Sequence, residues 1–176
     1  MHTYAARSYI TEMRPKVMLV LSGRIAVYGF GVGAGDRHLI RVLGPGAELG
    51  LSAVFQERLR SEFELVVKKP CTLVSFDTMA LRQMWKSGAY PAFTANVTAR
   101  LGEICQDLVQ RVAILSCYEI TDRIRLRERY ATQDPARYPE LAGMAELAEW
   151  LSVGRTALYR TLGRADTSNV SHVRQL

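Results

Sequence analysis

The chain has 176 residues, 48% of them hydrophobic and 23% charged, enough for one ordinary domain or for two small ones around packed cores. No apolar run approaches the roughly 18 residues of a membrane helix, and the start, MHTYAARSYITEMRPK, lacks the apolar stretch of a secretory signal, which predicts a cytoplasmic protein with no membrane partner. The net charge of +6 suits a polyanionic partner, but it is spread away from the C-terminal part: 14 Lys+Arg face 9 Asp+Glu up to Leu115, and 9 face 8 from Ser116 on. Contact with nucleic acid therefore has to be argued from local geometry.

The first half is written in short β-rich runs separated by glycine. VMLVL (17–21) and IAVYGF (25–30) flank Ser22-Gly23-Arg24, which predicts a hairpin turn, and GVGAGD separates them from the alternating strand RHLIRVL (37–43). Gly44-Pro45-Gly46 closes that strand. FELVVKK (63–69) alternates Phe63, Leu65 and Val67 with Glu64 and Lys68, and CTLVSF (71–76) follows Pro70, the rhythm of an antiparallel roll. The period then changes. Asp77 is a fitting N-cap for a short helix ended by Gly88, and Pro91 opens a long helix to about Leu115.

In that long helix Val97, Leu101, Ile104, Leu108 and Leu115 recur at spacings of three, four or seven, which suits either pairing with a second helix or packing on its own domain. A further helix from Ser116 carries Arg123, Arg125, Arg127 and Arg129 at every second position, scattered around the cylinder and read as solvated charges. PARYPELAG (135–143) is a turn-rich linker into MAELAEWLSVGRTALYRTL (144–162). There the spacing of Leu147, Ala148, Leu151, Val153, Leu158 and Thr161 is that of two short helices sharing a small core, with Ala148 at their contact and Ser152 in the turn. The second helix would expose Gly154, Arg155, Thr156, Tyr159 and Arg160, side chains able to pair with guanine edges and phosphates, with no acidic residue between Val153 and Ala165. A plain helical hairpin with solvated arginines has the same spacing.

The order of parts resembles the Crp/Fnr family of bacterial transcription regulators, through VMLVLSGRIAVY, RHLIRVLGPGAELGLSAVF, SEFELVVKKPCTLVSFD and ELAEWLSVGRTALYRTL, over roughly residues 17 to 165. The resemblance implies an α+β protein. A jelly-roll-like sensory β-roll (1–88) would be followed by a dimerisation helix (89–115), a winged helix-turn-helix (116–166) and a polar tail (167–176). It implies a homodimer on a two-fold symmetric DNA site, RNA polymerase as a partner if the protein activates, and Val97, Leu101, Ile104, Leu108 and Leu115 at the dimer seam. Arg155 and Arg160 fall at the family's two DNA-contacting arginines, while Thr156 stands where glutamate is common. By the same matching the effector pocket lies at Gly50, Leu51, Ser52 and Ser61. Leu51 replaces the carboxylate that holds a ribose, and Ser61 stands at the arginine position with Glu62 beside it, so cyclic AMP is not the expected ligand and the effector stays unidentified. The first strands and most of the wing are expected to be missing.

Other features point to no further chemistry. Cys71, Cys105 and Cys117 are distant and odd in number, offering no disulfide framework, CxxC pair or iron–sulfur cluster, and Cys71 reads as a buried thiol. His2, His38 and His172 lack ligand spacing, so no metal or cofactor is expected. GFGVGAGD (29–36) matches neither phosphate-loop pattern, and Glu62 and Glu64 alternate with Phe63 and Leu65 as the solvent side of a strand. No acid–base or nucleophile set is visible, so an enzyme is not expected. The alternative to a DNA-binding regulator is a ligand-binding or interaction module that no longer binds DNA specifically.

Overall fold

The computed structural model describes residues 1–11, 16–30, 37–55, 63–135, 138 and 141–165. The chain divides into two compact units, Met1–Gln106 and Asp107–Leu176, and the boundary falls inside one helix. The first unit is built on an antiparallel sheet of β1 (His2–Tyr4), β2 (Lys16–Phe30), β3 (Arg37–Leu43), β4 (Glu48–Leu49) and β5 (Phe63–Asp77). The strand order is β1-β5-β2-β3, and β4 pairs with the first part of β2. Ahead of Val17, where the sequence reading expects the first strands to be missing, His2–Tyr4 pairs with Cys71–Leu73 and Tyr9 bridges to Val66.

The main departure from the sequence reading lies at Ser22-Gly23-Arg24. No hairpin forms there: β2 is one strand of 15 residues lying along β5, also of 15 residues. Their register slips between Val20 and Ile25, where Ser22 faces Thr72 and Arg24 faces Lys69. Gly23 has φ +87°, and a Cβ on it would lie 2.2 Å from the Pro70 carbonyl oxygen. Glycine is thus required by close approach of two strands at a bulge, and Pro70, which has no N–H to give to the ladder, sits in the partner strand at the same place. Glycine and proline inside a β-run signal a turn and a bulge alike, which is why the pattern misled.

Alternation along β2 and β5 places Val20, Ile25, Val27, Leu65, Val67, Cys71 and Leu73 in one buried cluster with Ile10, Met18 and Leu43. Burial pushes the Cys71 thiol pKa up, as expected for a core cysteine. Helix α1 (Thr78–Ser87) starts where the Asp77 carboxylate accepts the Ala80 N–H at 3.0 Å, and ends at Gly88 with φ +64°. Arg82 on α1 donates to the carbonyls of Val54 (2.7 Å) and Ala53 (3.1 Å), tying down the 3₁₀ turn Leu51–Val54.

Helix α2 (Pro91–Ser116) begins at its proline, as the sequence predicts. Its early turns pack on their own domain: Val97 is buried with Val17, Leu51 and Val54, and Leu101 and Ile104 lie against the same cluster. Val97 is therefore not available to a dimer seam, since regular apolar spacing marks a buried face without saying what buries it. The exposed large apolar residues of α2 lie further on, Leu108, Val109 and Val112, the last two 68% and 63% exposed, while Leu115 is half-buried. On the same helix Arg100 bonds the buried Glu48 at 2.6 Å and pairs with Glu103.

The second unit comprises the end of α2, α3 (Ile120–Gln133), α4 (Met144–Leu151) and α5 (Arg155–Ala165). Two of the arginines read as solvated are held by the fold here. Arg127 is buried, and Arg123 donates to the carbonyls of Cys117 (2.8 Å) and Leu151 (3.0 Å). The every-second-residue spacing had put one of each pair on the inner face of α3; Arg125 and Arg129 keep the expected exposure.

Candidate nucleic-acid interface

The site is built by α4, a three-residue turn and α5. Leu147, Ala148, Trp150 and Leu151 of α4 are buried, and the small Ala148 side chain lets the following chain come close. The turn closes tightly. Ser152 takes the left-handed conformation (φ 53°, ψ 47°), its N–H donating to Glu149, while the Val153 N–H donates to Ala148 at 3.0 Å. These two bonds satisfy the last carbonyls of α4 in the manner usual for glycine, so serine here carries a conformational cost of about 1–2 kcal/mol. At the other end of α4 the buried Glu146 carboxylate reaches back to accept the Ala142 N–H at 2.5 Å.

One side of α5 is fixed and the other is free. Leu158 is fully buried, Thr161 and Leu162 are half-buried, and the Leu158 N–H donates to the Gly154 carbonyl at 3.0 Å. Gly154, Arg155, Thr156, Ala157, Tyr159 and Arg160 are exposed, Tyr159 by 58%, and the first turn carries no acidic residue. Arg155 and Arg160 stand about 7.5 Å apart along the helix axis at the standard rise. Of the five residues singled out from the sequence, Arg155, Thr156, Tyr159 and Arg160 lie exposed on α5 and Gly154 directly precedes it.

Of the four residues matched to an effector pocket, Gly50, Leu51 and Ser52 are described. Gly50 (φ +81°) would place a Cβ 2.3 Å from the Lys16 carbonyl oxygen, so its glycine serves close packing. Leu51 is buried in the apolar cluster with Val17, Val54 and Val97, and Ser52 is exposed. Ser61 lies outside the described residues, as do the loop 31–36 and the tail beyond 165 where a wing would fall. Among the described residues, no group of three His, Cys, Asp or Glu could hold a metal ion.

Sequence reasoning missed the support beneath α4. The Trp150 ring carries the Arg111 guanidinium 3.8 Å from its centre and that of Arg127 at 5.3 Å. Tyr138 meets Trp150 edge-on, stacks with Tyr130 at 6.2 Å, and donates its hydroxyl to the Gln110 side-chain oxygen at 2.8 Å. Burial, aided by the nearby charges of Arg127 and Arg123, pushes the Arg111 pKa down to about 10. The Tyr138 hydroxyl is pushed up to about 12, mainly by burial and then by Asp107 and Tyr130. Trp150 within an amphipathic helix is the one signal in the sequence that could have marked this cluster.

No protein-family model and no curated protein matches the sequence. Solved structures do. The chain is similar to the regulator CLP of Xanthomonas campestris, described as responsive to c-di-GMP, at 18% identity, covering 94% of this chain and 86% of that one with a TM-score of 0.74. A variant of CooA from Carboxydothermus hydrogenoformans shares 18% identity over 94% of this chain and 75% of that one (TM-score 0.70). A CRP/FNR-family transcriptional regulator from Thermus thermophilus shares 15% over 96% and 86% (TM-score 0.67). Similarity at this level of identity is similarity of fold: an antiparallel sheet followed by helices, as in the CRP/FNR transcriptional regulators.

Proposed function

We propose that this chain is a DNA-binding transcription regulator of the CRP/FNR type rather than an enzyme, acting in the cytoplasm as a homodimer on a two-fold symmetric duplex site in response to a signal. The observation that carries this reading is α5: Leu158 locks one side of the helix, and Arg155, Thr156, Tyr159 and Arg160 stand exposed on the rest. An α-helix of this width enters a major groove, where arginine pairs with guanine O6 and N7, and threonine and tyrosine reach base edges or phosphate. The exposed start of α5 at Gly154 offers backbone N–H groups to a phosphate.

Self-association is favoured by the exposed apolar residues Leu108, Val109 and Val112 on α2. Two copies related by a two-fold axis would present two α5 helices to two half-sites, and an activator of this kind would touch RNA polymerase. A signal other than cyclic AMP is favoured by Leu51, which stands at the position matched to the family's carboxylate and is buried among Val17, Val54 and Val97.

Gel-shift titration of Arg160→Ala tests the reading. Loss of a bidentate guanine contact costs about 1–3 kcal/mol, or roughly 5- to 150-fold in specific affinity. An Arg160→Ala protein that kept full sequence preference would remove Arg160 from base reading.

A further inference from the structure

Three arginines of the second unit, Arg111, Arg123 and Arg127, contact α4. We propose that Arg111 is a positioning residue for the DNA-reading helix: by stacking on Trp150 it fixes α4 to the end of α2, and so sets the attitude at which α5 presents Arg155 and Arg160. This inference rests on the DNA-reading role proposed above.

The geometry supports it in three ways. First, the last turns of α2, from Asp107 onward, belong to the same compact unit as α4 and α5, so they form part of the platform that carries the reading helix. Second, Trp150 is gripped from several elements at once: by Arg111 from α2, by Arg127 from α3, and by Tyr138 from the linker, itself bonded to Gln110 on α2. Third, Arg123 on α3 binds the Leu151 carbonyl at the C-terminal end of α4, one residue past Trp150. Cations at that end are favoured by the helix dipole.

A guanidinium partly withdrawn from water is a costly way to fill space, because an apolar side chain of similar volume packs without desolvating a charge. Burial and the two neighbouring arginines depress the Arg111 pKa, which records that cost. What a guanidinium adds is direction: a planar cation over an indole has a preferred distance and orientation, which a leucine does not impose. The contact therefore fixes where α4 lies as well as whether it is covered. Since Ser152–Gly154 is a short, doubly hydrogen-bonded turn, α5 follows α4.

The test uses the full chain with Trp85→Phe as background, leaving Trp150 as the sole indole. Arg111→Gln, Arg111→Lys and Trp150→Phe are compared for acrylamide quenching of Trp150 where it is present, for thermal unfolding, and for binding to two duplexes. One duplex is the site that the parent chain enriches from a random pool, the other a random sequence of equal length. For Arg111→Gln the expected result is about a tenfold loss of affinity for the enriched site, unchanged affinity for random DNA, and roughly doubled quenching, with partial recovery in Arg111→Lys. An Arg111→Gln protein that folds, keeps its Trp150 shielded and binds the enriched site as the parent does would overturn the inference. Should Arg111→Gln not fold, the same comparison of affinities in Trp150→Phe decides: unchanged preference overturns the inference, lost preference supports it. Should the parent enrich no site, the DNA reading fails by itself. The positioning claim is then decided by hydrogen exchange of α5 amides, faster in Arg111→Gln than in Arg111→Lys if it holds and equal in both if it fails.

Discussion

Replacing Gly23 by alanine separates a bulge from a hairpin turn. In a turn at the tip of two strands, alanine at φ +87° would pay only the left-handed backbone cost, about 1–2 kcal/mol. In the structure its Cβ would also lie 2.2 Å from the Pro70 carbonyl oxygen, 2.5 Å from Cys71 Cα and 2.6 Å from Cys71 Cβ, all backbone or core atoms that ordinary contacts keep beyond 3.4 Å. Relief requires β2 and β5 to separate by about 1 Å where Ser22 faces Thr72 and Arg24 faces Lys69, an overpacking cost of about 1–3 kcal/mol in addition. The sum is about 2–5 kcal/mol, a large share of the roughly 5–15 kcal/mol that keeps a domain folded. Gly46 supplies the control, because it has φ +83° and a Cβ added there would meet nothing within 4 Å, so Gly46→Ala should show the backbone cost alone. Urea unfolding followed by circular dichroism gives both values, with an unchanged m-value showing that the unfolding transition itself is comparable. Equal losses for Gly23→Ala and Gly46→Ala would refute the close approach of β2 to Pro70.

Other expectations follow from the second unit. Ser152→Gly relieves a left-handed serine (φ 53°) and should stabilise the protein by about 0.5–1 kcal/mol in thermal or urea unfolding; a loss would mean that the serine side chain holds the turn. Leu158→Ala removes a fully buried side chain between α5 and its neighbours and should cost about 2–5 kcal/mol, read by the same unfolding measurements. In an ultraviolet titration of the tyrosines, Tyr138→Phe should remove a component ionising at about pH 12. Since the folded pKa lies above the ordinary 10, the folded state keeps a proton that the unfolded chain gives up. The stability Tyr138 contributes is therefore fully present below pH 10 and lost as the pH rises through about 12. The difference in stability between the parent and Tyr138→Phe should shrink across that window.

Much of the fold was legible because burial follows period. Alternation in RHLIRVL and FELVVKK located β3 and the first half of β5, Asp77 and Pro91 marked helix starts, and Leu147, Ala148, Leu151 and Leu158 are among the buried residues of α4 and α5. What stayed hidden depended on partners distant in sequence. Gly23 lies against Pro70 and Cys71, Val97 against Val17, Leu51 and Val54, and Arg111 and Arg127 over Trp150. A charged residue on a helix is ordinarily solvated, and no spacing rule shows when an aromatic ring will draw it inside.

The central claim is that Arg155, Thr156, Tyr159 and Arg160 form a surface that reads duplex DNA. Repeated selection of bound duplexes from a random pool at physiological salt, with the parent chain and with an Arg155→Ala, Arg160→Ala double variant in parallel, tests it most directly. The parent should enrich a two-fold symmetric motif that the double variant does not, while both retain weak, salt-sensitive binding to the unselected pool. Enrichment of no motif by the parent, or of the same motif by both proteins, would contradict it.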